Sequence, residues 1–161
     1  MSGLVEQVFK ERYGEPLVVS GAMLVEHRWN EEREARRCEL YRLAGARPAS
    51  ETTPLLLQSV YGDFIGGSFL QGSMKLAVVA GPTIYGLYSL SRLRAQPEVC
   101  DAGQLDPSIE FFMDAADVWY YGLKGDELYV YDAPNGELYA RGPVGSALVT
   151  LLQEWEEARP T

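Results

Sequence analysis

The sequence predicts an α+β domain, and three observations predict it. Residues 117–141 read as three short strands joined by turn chemistry, both ends of the chain read as amphipathic helices, and the stretch between alternates strand-like runs with helix-start signals. At 161 residues the chain suits a single domain, 1–161, because a length near 150 is about one domain's worth. Hydrophobic content of 47% against 23% charged residues lets most of it fold by burial, so disorder is expected only at ends and loops.

The elements follow in order. Ser2 can cap a helix in which Leu4, Val5, Val8, Phe9 and Arg12 keep the three-and-four spacing, and Gly14 closes it. Leu17–Glu26 is rich in valine and reads as one strand or as two short ones broken near Gly21. Trp29–Ala44 fits two structures. Asn30 can cap a helix with Ala35, Cys38, Tyr41 and Ala44 on one face, or a charged turn can precede a strand Cys38–Leu43; its Glu/Arg pairs read as a solvated face. Gly45–Thr53 is a loop.

Thr53-Pro54 then opens a helix with Leu55, Leu56, Val60 and Phe64 as its buried stripe, and Gly66-Gly67 stops it. Leu76–Val79 and Thr83–Tyr88 read as strands around Gly81-Pro82, Ser89 caps a short helix through Leu93, and Pro97–Pro107 is a loop. The meander is Asp117–Leu123, a Lys124-Gly125-Asp126 turn, Glu127–Asp132, an Ala133-Pro134-Asn135-Gly136 turn and Glu137–Arg141. Asn-Gly and Gly-Asp tolerate the positive φ that hairpins need. Ser146 can cap a last helix that buries Leu148, Leu151, Leu152 and Trp155 against the sheet.

Charge is distributed unevenly. Residues 1–50 hold eight Lys/Arg and eight Asp/Glu, so the net charge of −9 belongs to the rest of the chain. Ten carboxylates lie between Glu98 and Glu137 against one cation, Lys124, interleaved with Phe111, Phe112, Trp119, Tyr120, Tyr121, Tyr129 and Tyr131. An acidic surface with aromatic residues suits a basic protein or cationic ligand and disfavours nucleic acid, whose backbone is itself anionic.

Cys38 and Cys100 are too few and too far apart for a disulfide framework or a zinc site, and both read as reduced, buried thiols. The first residues lack the apolar run of a secretory signal, so a cytoplasmic location is expected. Phe64–Ser91 carries one charge, Lys75, yet its glycines and Pro82 break any membrane-spanning helix.

Catalytic motifs find little support. His27 is the single histidine and lacks a second at metal-binding spacing, so it reads as structural. The runs around Ser68 and Ser146 fail the Gly-x-Ser-x-Gly elbow, and Gly67 through Gly72 to Lys75 fails the phosphate loop because Ser73 and Met74 separate the last glycine from the lysine. Asp132–Gly136 lacks the alternating ligands of a calcium loop. Asp114 with Asp117, or Asp126 with Glu127, are the remaining acid–base candidates, although acids at a tight turn have a backbone reason to be there. No metal or cofactor is expected.

Alternation in the meander sets Leu128, Val130, Leu138 and Ala140 on one face and Tyr129, Tyr131 and Tyr139 on the other. The tyrosine face is either covered by the chain's own helices or open as a binding platform, where tyrosine supplies area and a hydroxyl at low entropic cost. Glu154, Glu156 and Glu157 crowd the end of the last helix against the macrodipole and extend the acidic surface.

From about Thr53 onward the chain resembles the SUKH superfamily, which holds bacterial immunity proteins and Smi/Knr-type eukaryotic regulators. The similarity lies in a proline-started helix leading to a double glycine (Thr53-Pro54, Tyr61, Phe64, Gly66, Gly67) and the run Ile84-Tyr85-Gly86-Leu87-Tyr88-Ser89-Leu90-Ser91-Arg92-Leu93. It continues in the aromatic-acidic Phe111-Phe112-Met113-Asp114, the meander Trp119–Tyr139 and the helix Ser146–Glu157. The resemblance implies a mixed, largely antiparallel sheet flanked by helices, no intrinsic catalysis, and a role in neutralising toxins, often nucleases, passed between competing bacteria.

Together these readings make the expected partner a cognate basic toxin or effector domain. The candidate partner-binding residues are Asp114, Asp117, Asp126, Glu127, Tyr129, Tyr131 and Tyr139. The alternatives are a regulatory or scaffold module for a cellular protein and a small carboxylate-dependent enzyme.

Overall fold

A computed structural model describes residues 3–45, 52–80, 89–116 and 118–158. Its organising element is a nine-stranded sheet in which each strand pairs, antiparallel, with the next in sequence. Helix α1 (Leu4–Tyr13) leads into β1 (Leu17–Ser20) and β2 (Leu24–Trp29). A 3-10 turn (Glu34–Arg36) precedes β3 (Cys38–Leu43), and α2 (Leu55–Tyr61) separates it from β4 (Gly66–Phe69) and β5 (Met74–Leu76). Helices α3 (Leu90–Arg94) and α4 (Pro97–Leu105) are followed by β6 (Glu110–Ala115), β7 (Trp119–Lys124), β8 (Glu127–Asp132), β9 (Glu137–Pro143) and α5 (Val144–Ala158). The class is α+β, with the meander running through the whole sheet; the parallel contact found is an isolated bridge between Val78 and Ser89. Among the described residues no helix is long and apolar enough to cross a membrane.

The open sequence choices resolve in particular ways. Leu17–Trp29 forms two strands, because Gly21 N–H bonds to Leu24 O at 2.8 Å and turns the chain. Trp29–Ala44 takes the turn-and-strand form, since β3 finds partners in both β2 and β4. Ser89 accepts the Arg92 N–H at 3.2 Å and caps α3 as expected. The helix end Ser2, the loop 46–51, the strand Thr83–Tyr88 and Asp117 fall outside the described residues.

Other expectations need correction. Helix α2 ends at Gly62 rather than Gly66, so its buried side is Leu57, Val60 and Tyr61, and Leu55 is 85% exposed. The double glycine belongs to strand β4: a Cβ on Gly67 would stand 2.4 Å from Glu39 O, so only glycine lets β3 and β4 approach here. Pro97–Pro107 is no simple loop; Pro97 sits at the first position of α4, which buries Val99 and Ala102. Helix α5 begins at Val144, and Ser146 donates its hydroxyl to Pro143 O at 3.1 Å instead of capping from outside. Cys38 is buried, its thiol pushed up to about 12 by burial, whereas Cys100 is exposed.

Residues directly opposite in an antiparallel pair share a sheet face. The pairs Phe69–Met74, Met74–Ala115, Ala115–Trp119 and Tyr121–Val130 therefore trace one continuous face. That face carries α1 and α5, whose Val5, Val8, Phe9, Leu148 and Leu152 meet Phe69 and Met74. Trp29 anchors the other end of α1 by donating its indole N–H to Gly14 O at 2.9 Å. At the same C-terminal end of α1, Glu156 on α5 accepts from Arg12 and Tyr13, which ties the first helix to the last.

Candidate functional site

The register of the last two strands decides which side chains reach the surface together. Glu127 and Leu128 pair with Pro143 and Gly142, but Tyr129 pairs with Ala140, so Arg141 is an extra residue on β9. Gly142, at φ +97°, accommodates this bulge. On the turn side of the bulge, where Asp132 pairs with Glu137, Tyr139 stands opposite Val130, on the α5 face, while Tyr129 and Tyr131 lie opposite Ala140 and Leu138 on the other. The expected single tyrosine face therefore does not exist: facing across a hairpin depends on register, and the four-residue turn set a different one.

The candidate residues consequently separate. Asp114 is 2% exposed and Tyr131 6% exposed, so both are part of the interior and are removed from the surface set. Tyr129 is half-buried, with the Lys124 ammonium 5.9 Å from its ring centroid. Asp126 and Glu127 are exposed at the β7–β8 turn, and Tyr139 is 40% exposed at the opposite end of the meander. From Glu127 to Asp132 the strand advances about 17 Å at its usual rise.

Several other acids of the predicted acidic run are consumed internally. Asp106 receives the Ser108 N–H at 3.0 Å and Lys124 Nζ at 2.9 Å; bonds from Ser108, then Lys124, lower its carboxyl to about 2. Glu110 pairs with Arg94. Asp132 accepts from Asn135 Nδ2 at 2.8 Å and holds the β8–β9 turn.

At Tyr139 the structure assembles a site. Trp119 and Tyr121 from β7, Asp132 from β8, Tyr139 and Arg141 from β9, and Glu154, Trp155 and Ala158 from α5 line an open cleft of about 450 Å³. Trp119 and Trp155 meet edge to face, ring centroids 5.8 Å apart at 77°. Arg141 Nη2 lies 3.0 Å from both carboxylate oxygens of Glu154 and ties the edge strand to the helix. The Tyr121 hydroxyl, nearly enclosed, is pushed up to about 12 by burial, so it remains a neutral hydrogen-bonding group at physiological pH. Aromatic walls accept the alkyl stem of a lysine or arginine and hold its charged head against their ring faces.

The tryptophans, Arg141 and Glu154 were not among the sequence candidates. Trp119 and Tyr121 did carry a signal, since residues two apart on one strand share a face. Trp155 instead looked like the end of a core stripe.

A second cleft of about 430 Å³ is lined by Arg12, Tyr13, Asn30, Arg33, Arg36 and Glu156. Its anion is already supplied by Glu156, whose carboxyl, despite burial, is held below the usual range by Arg12 and Tyr13. Among the described residues no group of three or more His, Cys, Asp or Glu side chains is placed to hold a metal. His27 accepts from Arg42 Nε at 3.0 Å and stacks edge-on against Phe64, as a structural side chain does.

The fold and this cleft define a class no narrower than an α+β domain with an aromatic edge site. Comparison with protein-family models, curated proteins and solved structures finds no match for the chain.

Proposed function

We propose that the protein is a non-catalytic binding module, a bacterial immunity protein that acts in the cytoplasm by capturing a basic toxin, of which a nuclease is the leading kind. The observation that carries this reading is the cleft of Trp119, Tyr121, Tyr139 and Trp155 with Glu154 at its rim, on a chain of net charge −9. Aromatic side chains in a partly dry recess are where binding energy concentrates, and surrounding carboxylates speed the approach of a cationic partner. The two carboxylates bordering the cleft are engaged, Asp132 with the turn and Glu154 with Arg141, which favours binding over acid–base chemistry. Asp126, Glu127 and Glu137 extend the acidic surface along the meander.

The test is capture of partners from the producing strain, followed by binding kinetics with the retained protein. A basic polypeptide whose affinity falls with added salt is expected. Tyr139→Ala should raise its dissociation rate at least tenfold, and Asp126→Lys with Glu127→Lys should slow its association about tenfold. Association and dissociation unchanged in both variants would overturn the reading.

A further inference from the structure

The opposite end of the sheet carries a different surface. Among the described residues, strand β1 is the first in the strand order and pairs only with β2, which leaves its outer edge unpaired by them. All four of its residues are exposed, with Leu17 at 51%, Val18 at 46% and Val19 at 38%; Met23, in the turn that follows, is 62% exposed. These four are most of the large apolar side chains exposed among the described residues. The strand is short, at four residues, and follows Pro16, but it holds no lysine, no charge and no bulge, which are among the devices that protect an edge from pairing.

We infer that β1 is a self-association edge, through which two copies of the chain join antiparallel about a twofold axis into a continuous sheet. The register follows from the hydrogen bonds. Gly21 N–H bonds to Leu24 O, and ladder bonds alternate along an antiparallel pair, so Leu17, Val19 and Gly21 direct their backbone groups at β2. Val18 and Ser20 direct theirs outward. A twofold axis normal to the sheet keeps equivalent faces on the same side, so residues of the same parity must oppose each other. Centred on Val18, the pairing sets Val18 against Val18 of the second copy and Leu17 against Val19, twice. Val18 then exchanges both backbone bonds with its mate, and each Ser20 N–H meets the carbonyl of Pro16. Pro16 accepts that bond through its carbonyl but, having no N–H, returns none to Ser20 O.

Charge favours a second copy as the occupant. The net −9 lies outside residues 1–50, which are neutral, and β1 is separated from the meander strands β7–β9 by six to eight strand spacings, about 29–38 Å. That is several Debye lengths at physiological salt, so two copies meeting at β1 scarcely feel each other's acidic ends. On the neighbouring strands Arg28 pairs with Glu26 at 2.6 Å and with Glu39 at 3.7 Å, and Arg37 with Glu39 at 2.8 Å, while the exposed Glu15 flanks β1 itself. A pairing of so few residues buries well under the ~800 Å² per partner of a standard interface, so the association is a weak one that shows only at high protein concentration. Both aromatic clefts stay open at the outer ends.

Sedimentation of the full chain from about 10 µM to 1 mM tests this. Wild type should move from monomer to dimer across that range, and Val18→Lys, which sets two ammonium groups at the axis, should stay monomeric while keeping the wild-type circular dichroism. Register is tested by oxidation in a Cys100→Ser background, because Cys100 is exposed. Val18→Cys should crosslink, its Cα atoms about 5.5 Å apart across the axis, whereas Val19→Cys, offset along both strands, exceeds the ~7 Å disulfide limit and should crosslink far more slowly. A wild type monomeric at 1 mM, a Val18→Lys chain that dimerises as well as wild type, or equal crosslinking at the two positions would each overturn the inference.

Discussion

Removing the Glu156 carboxylate tests how the two ends of the chain are held together. Glu156 accepts from Arg12 Nε at 3.1 Å, from Arg12 Nη2 and from the Tyr13 hydroxyl, and its main-chain oxygen faces Arg36 Nη2 at 3.4 Å. The Arg12 and Glu156 side chains are only 26% and 14% exposed, so the pair lies between two limits. An exposed ion pair contributes about 0–1 kcal/mol, and breaking a buried one costs about 3–5 kcal/mol. Glu156→Gln, which keeps shape and one acceptor but leaves Arg12 uncompensated, should therefore cost about 2 kcal/mol at pH 7, or about 4–8 °C in Tm for a chain of this size. The carboxyl pKa is depressed in the folded state from the usual 4.5, so the native form binds fewer protons than the unfolded one in acid. Its stabilisation is present above pH 4.5 and is lost as pH falls through the folded-state value. Urea unfolding of wild type and variant at a series of pH values should show two curves that lie apart at pH 7 and converge in acid. A difference below about 0.5 kcal/mol at neutral pH, or a gap that persists at pH 2, would refute the argument.

Two further outcomes are expected. A thiol reagent should modify Cys100 in the native protein and reach Cys38 only after unfolding, because Cys38 is buried with its thiol raised to about 12; rapid reaction of both thiols in native buffer would contradict this. Burial first, and then the neighbouring Arg42 charge, hold the His27 imidazole below its usual 6.5. Folded protein therefore binds fewer protons there, and wild type should lose stability relative to His27→Gln as pH falls from 6.5 through the folded-state value; parallel unfolding midpoints from pH 7 to pH 5 would count against it.

The parts of this fold that were legible in the sequence are those whose signals are local. The meander announced itself through Gly125-Asp126 and Asn135-Gly136 between alternating runs, and α1 and α5 through apolar spacing closed or opened by glycine and proline. Gly66-Gly67 misled because a double glycine ordinarily ends a helix, and only the neighbouring β3 backbone explains it as a crowded strand. Helix α4 was hidden by the prolines at its borders and by Gly103 within it.

The candidate site was less legible. Asp114 looked like one acid among ten, and nothing in its neighbourhood distinguishes a carboxylate folded inward at 2% exposure from an exposed one. Tyr139 was named for the right reason and the wrong company, since the four-residue turn 133–136, which pairs Asp132 with Glu137, puts it on the face of Trp119 and Trp155. The glutamates ending α5 seemed to oppose the helix dipole. Glu154 and Glu156 instead reach arginines on β9 and α1, contacts that no local window contains.

The nearest-neighbour order of the nine strands bears on how the chain is made. Six of the eight pairings join strands across short connections and can close as the second strand emerges, whereas β3–β4 and β5–β6 must first close over residues 44–65, which hold α2, and 77–109, which hold α3 and α4. The apolar side of α1 finds early mates in Trp29 and Phe69, whose rings stand 5.2 Å and 4.8 Å from that of Phe9, but Leu148 and Leu152, which complete its cover, come later in the chain. A nascent chain stalled before α5 therefore carries a finished ladder with an uncovered greasy flank, the kind of species that chaperones hold.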